Sequence, residues 1–189
     1  LSRVFFVNSG AEANENALRL AFKVTGRSKV VAMEHSFHGR TAAAAAVTYG
    51  AMKSWYGFPR TPFDVAFVPR NDAAALDAAV DSSTAAVIIE PVQGLAGAFD
   101  FAPQFLHGIR AACDRAGALL IIDEVQTGMG RLGAPFGAQL HGVRPDLLTV
   151  AKGLGGGFPC GAVLMPHAIA KDLKAGALVP LHSHSDEQM

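Results

Sequence analysis

Strongly basic or acidic stretches are missing from this chain. Lys and Arg number 16, Asp and Glu number 16, and charged residues make up only 17% of the sequence. Such a balance leaves no electrostatic footprint for nucleic acid and no polybasic segment for a membrane surface. Long hydrophobic runs are missing too. The apolar runs are strand-sized and broken by charges or glycines, so no transmembrane helix is expected. Cysteine is scarce: Cys113 and Cys160 stand far apart without metal-ligand spacing. They read as two reduced thiols in a cytosolic protein, with no metal site. No secretory leader pattern is visible. The chain opens at Leu1, almost directly on Val4-Phe5-Phe6-Val7, and is expected to be part of something longer. Two nucleotide signatures are absent as well. There is no G-x-x-x-x-G-K-[ST], and Gly153 to Gly157 follows a lysine and opens no clear helix, which misses the dinucleotide pattern.

What is present is an alternation. Half of the 189 residues are hydrophobic, enough for one sizeable core. Short apolar runs at Val4–Val7, Val30–Met33, Val65–Val68, Ala85–Ile89, Leu119–Ile122, Leu147–Val150 and Ala162–Met165 read as strands. Between them lie helical patterns. Ala11–Thr25 carries an apolar face and stops at Gly26, Asp72 caps a helix to Val80, and Pro103–Ala116 ends at Gly117. The alanine-rich Thr41–Val47 also reads as a helix. Continuous apolar strands alternating with helices predict an α/β fold: a mainly parallel sheet with helices on both faces. Ligands bind such sheets at the carboxyl ends of the strands. Polar residues collect at those ends, in Asn8–Ala11, Glu34–Arg40, Glu90–Gln93, Asp123–Gln126 and at Lys152.

Each segment has a chemical and a plain reading. Asn8-Ser9-Gly10-Ala11-Glu12 lies where free helix amides hold a phosphate, or it is an ordinary helix start with Ser9 as the cap. Asp123 closes an apolar strand and needs a cationic partner: a protonated pyridine nitrogen, a magnesium ion, or a structural hydrogen bond. Without the P-loop the magnesium reading loses most of its weight. Lys152 sits between a strand and a glycine-rich turn, where partial desolvation lowers a lysine pKa and suits the amine to imine formation. The plain reading is a surface lysine. Phe37 reads as a ring that stacks on a flat cofactor or as core, and Arg40 as a bidentate carboxylate clamp or as a solvated charge.

Taken together these segments resemble the class III aminotransferases of pyridoxal-phosphate (PLP) fold type I, a group that includes ornithine, acetylornithine and 4-aminobutyrate aminotransferases. The matching stretches are Asn8–Glu15, Ser36–Thr41, Glu90–Gly94, Asp123–Arg131 and Ala151–Gly157, in the family's order, with 29 residues from Asp123 to Lys152. The resemblance implies a PLP fold type I large domain over residues 1–175, with an N-terminal segment and a C-terminal small domain lying elsewhere. It implies that Lys152 carries the cofactor as a Schiff base and serves as the proton-transferring group. Asp123 is implied as the partner of the pyridine nitrogen, Gln126 as a contact to the phenolic oxygen, and Ser9, Gly10 and Ala11 as the phosphate site. Phe37 is implied to stack on the ring, Glu90 to support it, and Arg40 to bind the substrate carboxylate. The implied activity is ping-pong transfer of an amino group from an amino acid or ω-amine donor to a 2-oxo acid, in a cytoplasmic homodimer.

Two departures from the family pattern qualify this. Leu95 stands where ornithine- and 4-aminobutyrate-type members have a glutamate, which argues against assigning either substrate. Residues 176–189, with His182 and His184, match no family motif and read as an atypical, disordered tail. The alternatives are another fold type I enzyme, an aminomutase or decarboxylase, and an inactive fragment.

Overall fold

The computed structural model describes residues 1–51 and 59–174. Their order is β1 (Arg3–Val7), α1 (Gly10–Thr25), β2 (Lys29–Met33), α2 (Ala42–Ala46), β3 (Asp64–Val68), α3 (Ala73–Ala79), β4 (Thr84–Ile89), β5 (Val92–Gln93), β6 (Phe99–Asp100), α4 (Pro103–Ala116), β7 (Leu119–Asp123), α5 (Gly137–Leu140), β8 (Leu147–Val150), β9 (Gly161–Met165) and α6 (His167–Lys174). The local chemistry explains the boundaries. Ser9 caps α1, its Oγ accepting from the Glu12 amide at 3.2 Å. Gly26 ends that helix at φ 68°, a left-handed conformation that costs other residues energy, and its amide returns to the Phe22 carbonyl at 2.8 Å. Asp72 caps α3 through the Ala75 amide at 2.9 Å, and proline opens α4.

Seven strands form one sheet in the order β1-β9-β8-β7-β4-β2-β3. The run β8-β7-β4-β2-β3 is parallel, while β9 runs antiparallel to both β1 and β8. The strand period of two divides the core. Val30, Ala32, Ala86, Ile88 and Ile121 face α1, whereas Val31, Met33, Val87, Ile89 and Leu120 face α3 and α4. Each fully buried side chain of this kind contributes roughly 1.5–3 kcal/mol of transfer free energy. Both faces are therefore covered, as the apolar runs require. At the β8-β9-β1 end the second face is thinner: Leu148, Val150 and Ala162 are buried there, but Val4 and Phe6 of β1 are each 39% exposed.

The reversed direction of β9 matters for the site. Its first residue, Gly161, lies at the edge where the parallel strands end. A Cβ at Gly161 would meet the Ser9 carbonyl oxygen at 2.6 Å, so the loop before β9 presses against the start of α1. The β5/β6 hairpin, α5 and α6 were not legible in the periodicity; the first two are too short to carry any. No helix among the described residues is long and apolar enough to cross a membrane. The expected tail 176–189, with His182 and His184, lies outside the described residues.

Candidate active site

The carboxyl ends of β1, β2, β4, β7 and β8, with the amino end of β9, surround a cavity of about 540 Å³. All the residues singled out from the sequence line it. Ser9, Gly10 and Ala11 form one wall at the start of α1, and Phe37 and Arg40 form another in the loop after β2. Glu90, Asp123 and Gln126 come from the ends of β4 and β7, and Lys152 from the end of β8. Leu95 and the exposed Phe158 stand on the same cavity.

Asp123 is almost fully buried and takes three donors. Its Oδ2 accepts from Asn14 Nδ2 at 2.7 Å and pairs with His38 Nδ1 at 2.8 Å, and its Oδ1 accepts from the Val125 amide at 3.0 Å. The structural hydrogen bond and the cavity-facing acid were posed as alternatives, yet Asp123 has both features. The next residue, Glu124, turns the other way. Its Oε2 accepts from the Thr127 hydroxyl and from the Gly137 amide at 2.9 Å, and its Oε1 accepts from the Ala138 amide at 2.7 Å. Glu124 thus caps α5, and Asp123 alone of the pair lines the cavity.

Glu90 is buried at 3% exposure, and its Oε1 accepts from the Phe37 amide at 2.8 Å. Burial pushes its carboxyl up from 4.5 to about 7. Asp123 adds to the rise, while His38, the Phe37 amide and Lys152 oppose it. Lys152 opens a single 3₁₀ turn, Lys152–Gly155, at φ 47°. Burial lowers its pKa; Asp123 and Glu90 pull it back up, and Arg131 lowers it further. The residue remains exposed on the cavity side, so the amine is approachable. Gly10 is required by space: a Cβ there would lie 2.8 Å from Val125 Cγ2. Phe37 is half-buried, with the Arg40 guanidinium carbon 5.8 Å from its ring centroid.

Three polar residues of this site escaped the sequence reading: Asn14, His38 and Thr149. Thr149 Oγ1 donates to Asn14 Oδ1 at 2.7 Å, and the other end of that amide also reaches the His38 carbonyl at 2.7 Å. A signal existed for Asn14, which interrupts the apolar face of α1 next to Ala13 and Ala17. An amide on a buried helical face needs partners. Thr149 carried no signal, because threonine inside an apolar strand is an ordinary β residue.

The donor set fits pyridoxal 5′-phosphate. A helix N-terminus with free amides and no room for a side chain at Gly10 suits a phosphate. A buried carboxylate facing the cavity suits a ring N–H, and a lysine with a lowered pKa suits a carbonyl carbon. A mainly parallel α/β sheet that gathers these groups at its carboxyl edge defines a fold type I PLP enzyme. The family described as aminotransferase class-III matches residues 1–184, well past the last matching stretch, Ala151–Gly157. The chain belongs to this PLP-dependent family. It is 48% identical over 169 residues to an acetylornithine aminotransferase of Methanosarcina acetivorans, covering 89% of this chain and 43% of that protein. It is also 48% identical over 180 residues to an acetylornithine/succinyldiaminopimelate aminotransferase of Yersinia pestis, covering 92% and 44%. Among solved structures, the ornithine aminotransferase of Toxoplasma gondii superposes with a TM-score of 0.85 at 32% identity, covering 94% of this chain and 44% of that one. A β-phenylalanine aminotransferase of Variovorax paradoxus gives 0.85 at 34% identity, covering 98% and 42%. The chain spans less than half the length of these relatives.

Proposed function

We propose that this chain supplies the cofactor-binding region of a transaminase that moves an amino group from an amino acid or ω-amine donor to a 2-oxo acid by a ping-pong route. The observation that carries this is the single cavity that brings Lys152, Asp123 and the α1 amides together. The curated relatives make N-acetylornithine the donor of first choice, an amino acid whose second nitrogen carries no charge. Residues 1–175 are read as the PLP-binding large domain and 176–189 as a separate tail, in a cytoplasmic protein that works as a homodimer.

When bound, the cofactor supplies the carbonyl that exchanges with the donor's amino group and a ring that accepts electron density. The chain's own residues do the rest. The amides of Gly10 and Ala11 bind the phosphate. Asp123 accepts a hydrogen bond from the ring N–H and holds that proton in place. Phe37 stacks on the ring, Gln126 contacts the phenolic oxygen, and Glu90 supports the ring from the end of β4. Lys152 would hold the cofactor covalently, and its amine, once free, would move a proton between the substrate carbon and the cofactor's C4′ carbon. Arg40 pairs with the substrate carboxylate.

The test uses the full-length protein that contains this chain. With PLP it is expected to turn yellow, and with N-acetylornithine and 2-oxoglutarate to form glutamate. Lys152→Ala is expected to lose both. Yellow protein that releases carbon dioxide or an isomerised amino acid without glutamate would favour a decarboxylase or aminomutase instead.

A further inference from the structure

We propose that Asn14 and Thr149 are positioning residues for Asp123, holding its carboxylate in the cavity and coupling that hold to the strand that leads into Lys152. The inference rests on the PLP reading above and concerns residues that reading does not use.

The geometry starts in the sheet. Asp123 and Thr149 are partners across the β7/β8 ladder, so their side chains lie side by side on one face. The Glu124 amide donates to the Thr149 carbonyl at 2.8 Å, which fixes the two strand ends against each other. Asn14 of α1 lies across both. Its Nδ2 is aimed at two acceptors, Asp123 Oδ2 and the His38 carbonyl, each at 2.7 Å. A flipped amide would set an oxygen against both. Those two acceptors fix the orientation of the amide and leave Oδ1 facing Thr149, whose hydroxyl donates to it at 2.7 Å. All three residues are buried, Asn14 at 1%, Thr149 at 0% and Asp123 at 3% exposure, so water does not replace a lost partner cheaply.

One amide thus ties together four walls of the cavity: the phosphate helix, the strand of Asp123, the loop of Phe37 and Arg40, and the strand before Lys152. His38 adds the second donor on Asp123 Oδ2, and its Nε2 is buried without a partner. Asp123 is therefore the one side chain to which the His38 ring is hydrogen-bonded among the described residues. Packing alone does not call for threonine at 149. Its neighbours Leu148 and Val150 are buried and apolar, and valine has the same shape. The hydroxyl is what the Asn14 amide uses.

The experiment compares Thr149→Val, Thr149→Ser and Asn14→Asp with wild type in the full-length holoenzyme. PLP affinity is measured by titrating the apoprotein, together with the pH midpoint of the cofactor absorbance, kcat and KM, and the melting temperature of the apoprotein. Thr149→Val is expected to weaken PLP binding and lower kcat by roughly tenfold each, the size of one buried hydrogen bond. It should also move the pH midpoint while the donor KM stays put, and the apoprotein melting temperature should fall by a few degrees, because Asn14 Oδ1 loses a buried partner. Thr149→Ser is expected to recover wild-type values within about twofold, as the loss of a hydrogen bond and not of volume predicts. Asn14→Asp keeps the shape but removes the donor, and should be impaired at least as much. Wild-type affinity and pH midpoint in Thr149→Val or in Asn14→Asp would overturn the proposal. So would a Thr149→Ser protein as impaired as Thr149→Val, which would mark a packing role. If wild type takes up no PLP, the PLP reading falls and this inference with it. If wild type binds PLP without forming glutamate, only the transaminase reading falls, and the altered affinity and pH midpoint still support the positioning role.

Discussion

Glu90 keeps a carboxyl out of water beside another acid, and that has a thermodynamic consequence. Its folded pKa is raised from 4.5 to about 7, so below pH 4.5 both folded and unfolded chains hold the proton and the group is neutral to stability. Between pH 4.5 and 7 the unfolded chain gives up this proton while the folded one keeps it, and stability falls as pH rises. Above about 7 the loss is complete, on the order of 3 kcal/mol. Denaturant titrations across this range are expected to show a steeper decline in wild type than in Glu90→Gln. Equal slopes in the two proteins would mean that Glu90 titrates as an ordinary surface acid. At this same scale the sequence was a good guide to identity and a poor one to company. Lys152, Asp123, Glu90 and Phe37 were visible because each follows an apolar run. Asn14, His38 and Thr149 were not, since each depends on a neighbour 85 to 135 residues away in the chain.

Among the elements, the strands and long helices were legible because hydrophobic periodicity and caps act locally. Ser9, Asp72, Gly26 and Gly117 mark helix boundaries where the sequence implied them. The helix α5 escaped because it is held by a remote side chain. Its first amides are capped by Glu124, 13 residues earlier, and not by anything in its own turn. Glu124→Gln is accordingly expected to cost roughly 1–3 kcal/mol, since it turns an NH₂ group toward donors in a buried place. Urea denaturation measures this, and a change under 0.5 kcal/mol, about the size of a neutral surface substitution, would show that α5 does not need the cap. The side-by-side acids of β7 therefore have separate duties, one to the cavity and one to an adjoining helix. Nothing in the Asp-Glu pair alone says which is which.

For the molecule as a whole, the sheet is well covered except at the β8-β9-β1 end. Val4 and Phe6 leave an apolar surface there of the kind that attracts partners or hydrophobic dyes. The isolated 189-residue chain is expected to bind such a dye, and Val4→Thr with Phe6→Thr to reduce the binding while leaving stability within about 0.5 kcal/mol. Unchanged dye fluorescence would assign the exposed surface elsewhere.

The pairing of β1 with β9 also bears on how the chain is made. Arg3 aligns with Met165 and Val7 with Gly161, and among the described residues β1 has no other strand neighbour. A ribosome extends the chain from its amino end at about 5–20 residues per second. Strand β1 must therefore wait about 10–30 seconds, from Val7 to Gly161, before its partner has been synthesised. Ser9 and Gly10 wait with it, because they follow directly from that strand. The phosphate wall of the cavity is synthesised well before the strand that secures it, and for that interval Val4 and Phe6 depend on whatever in the cell shields an unpaired strand.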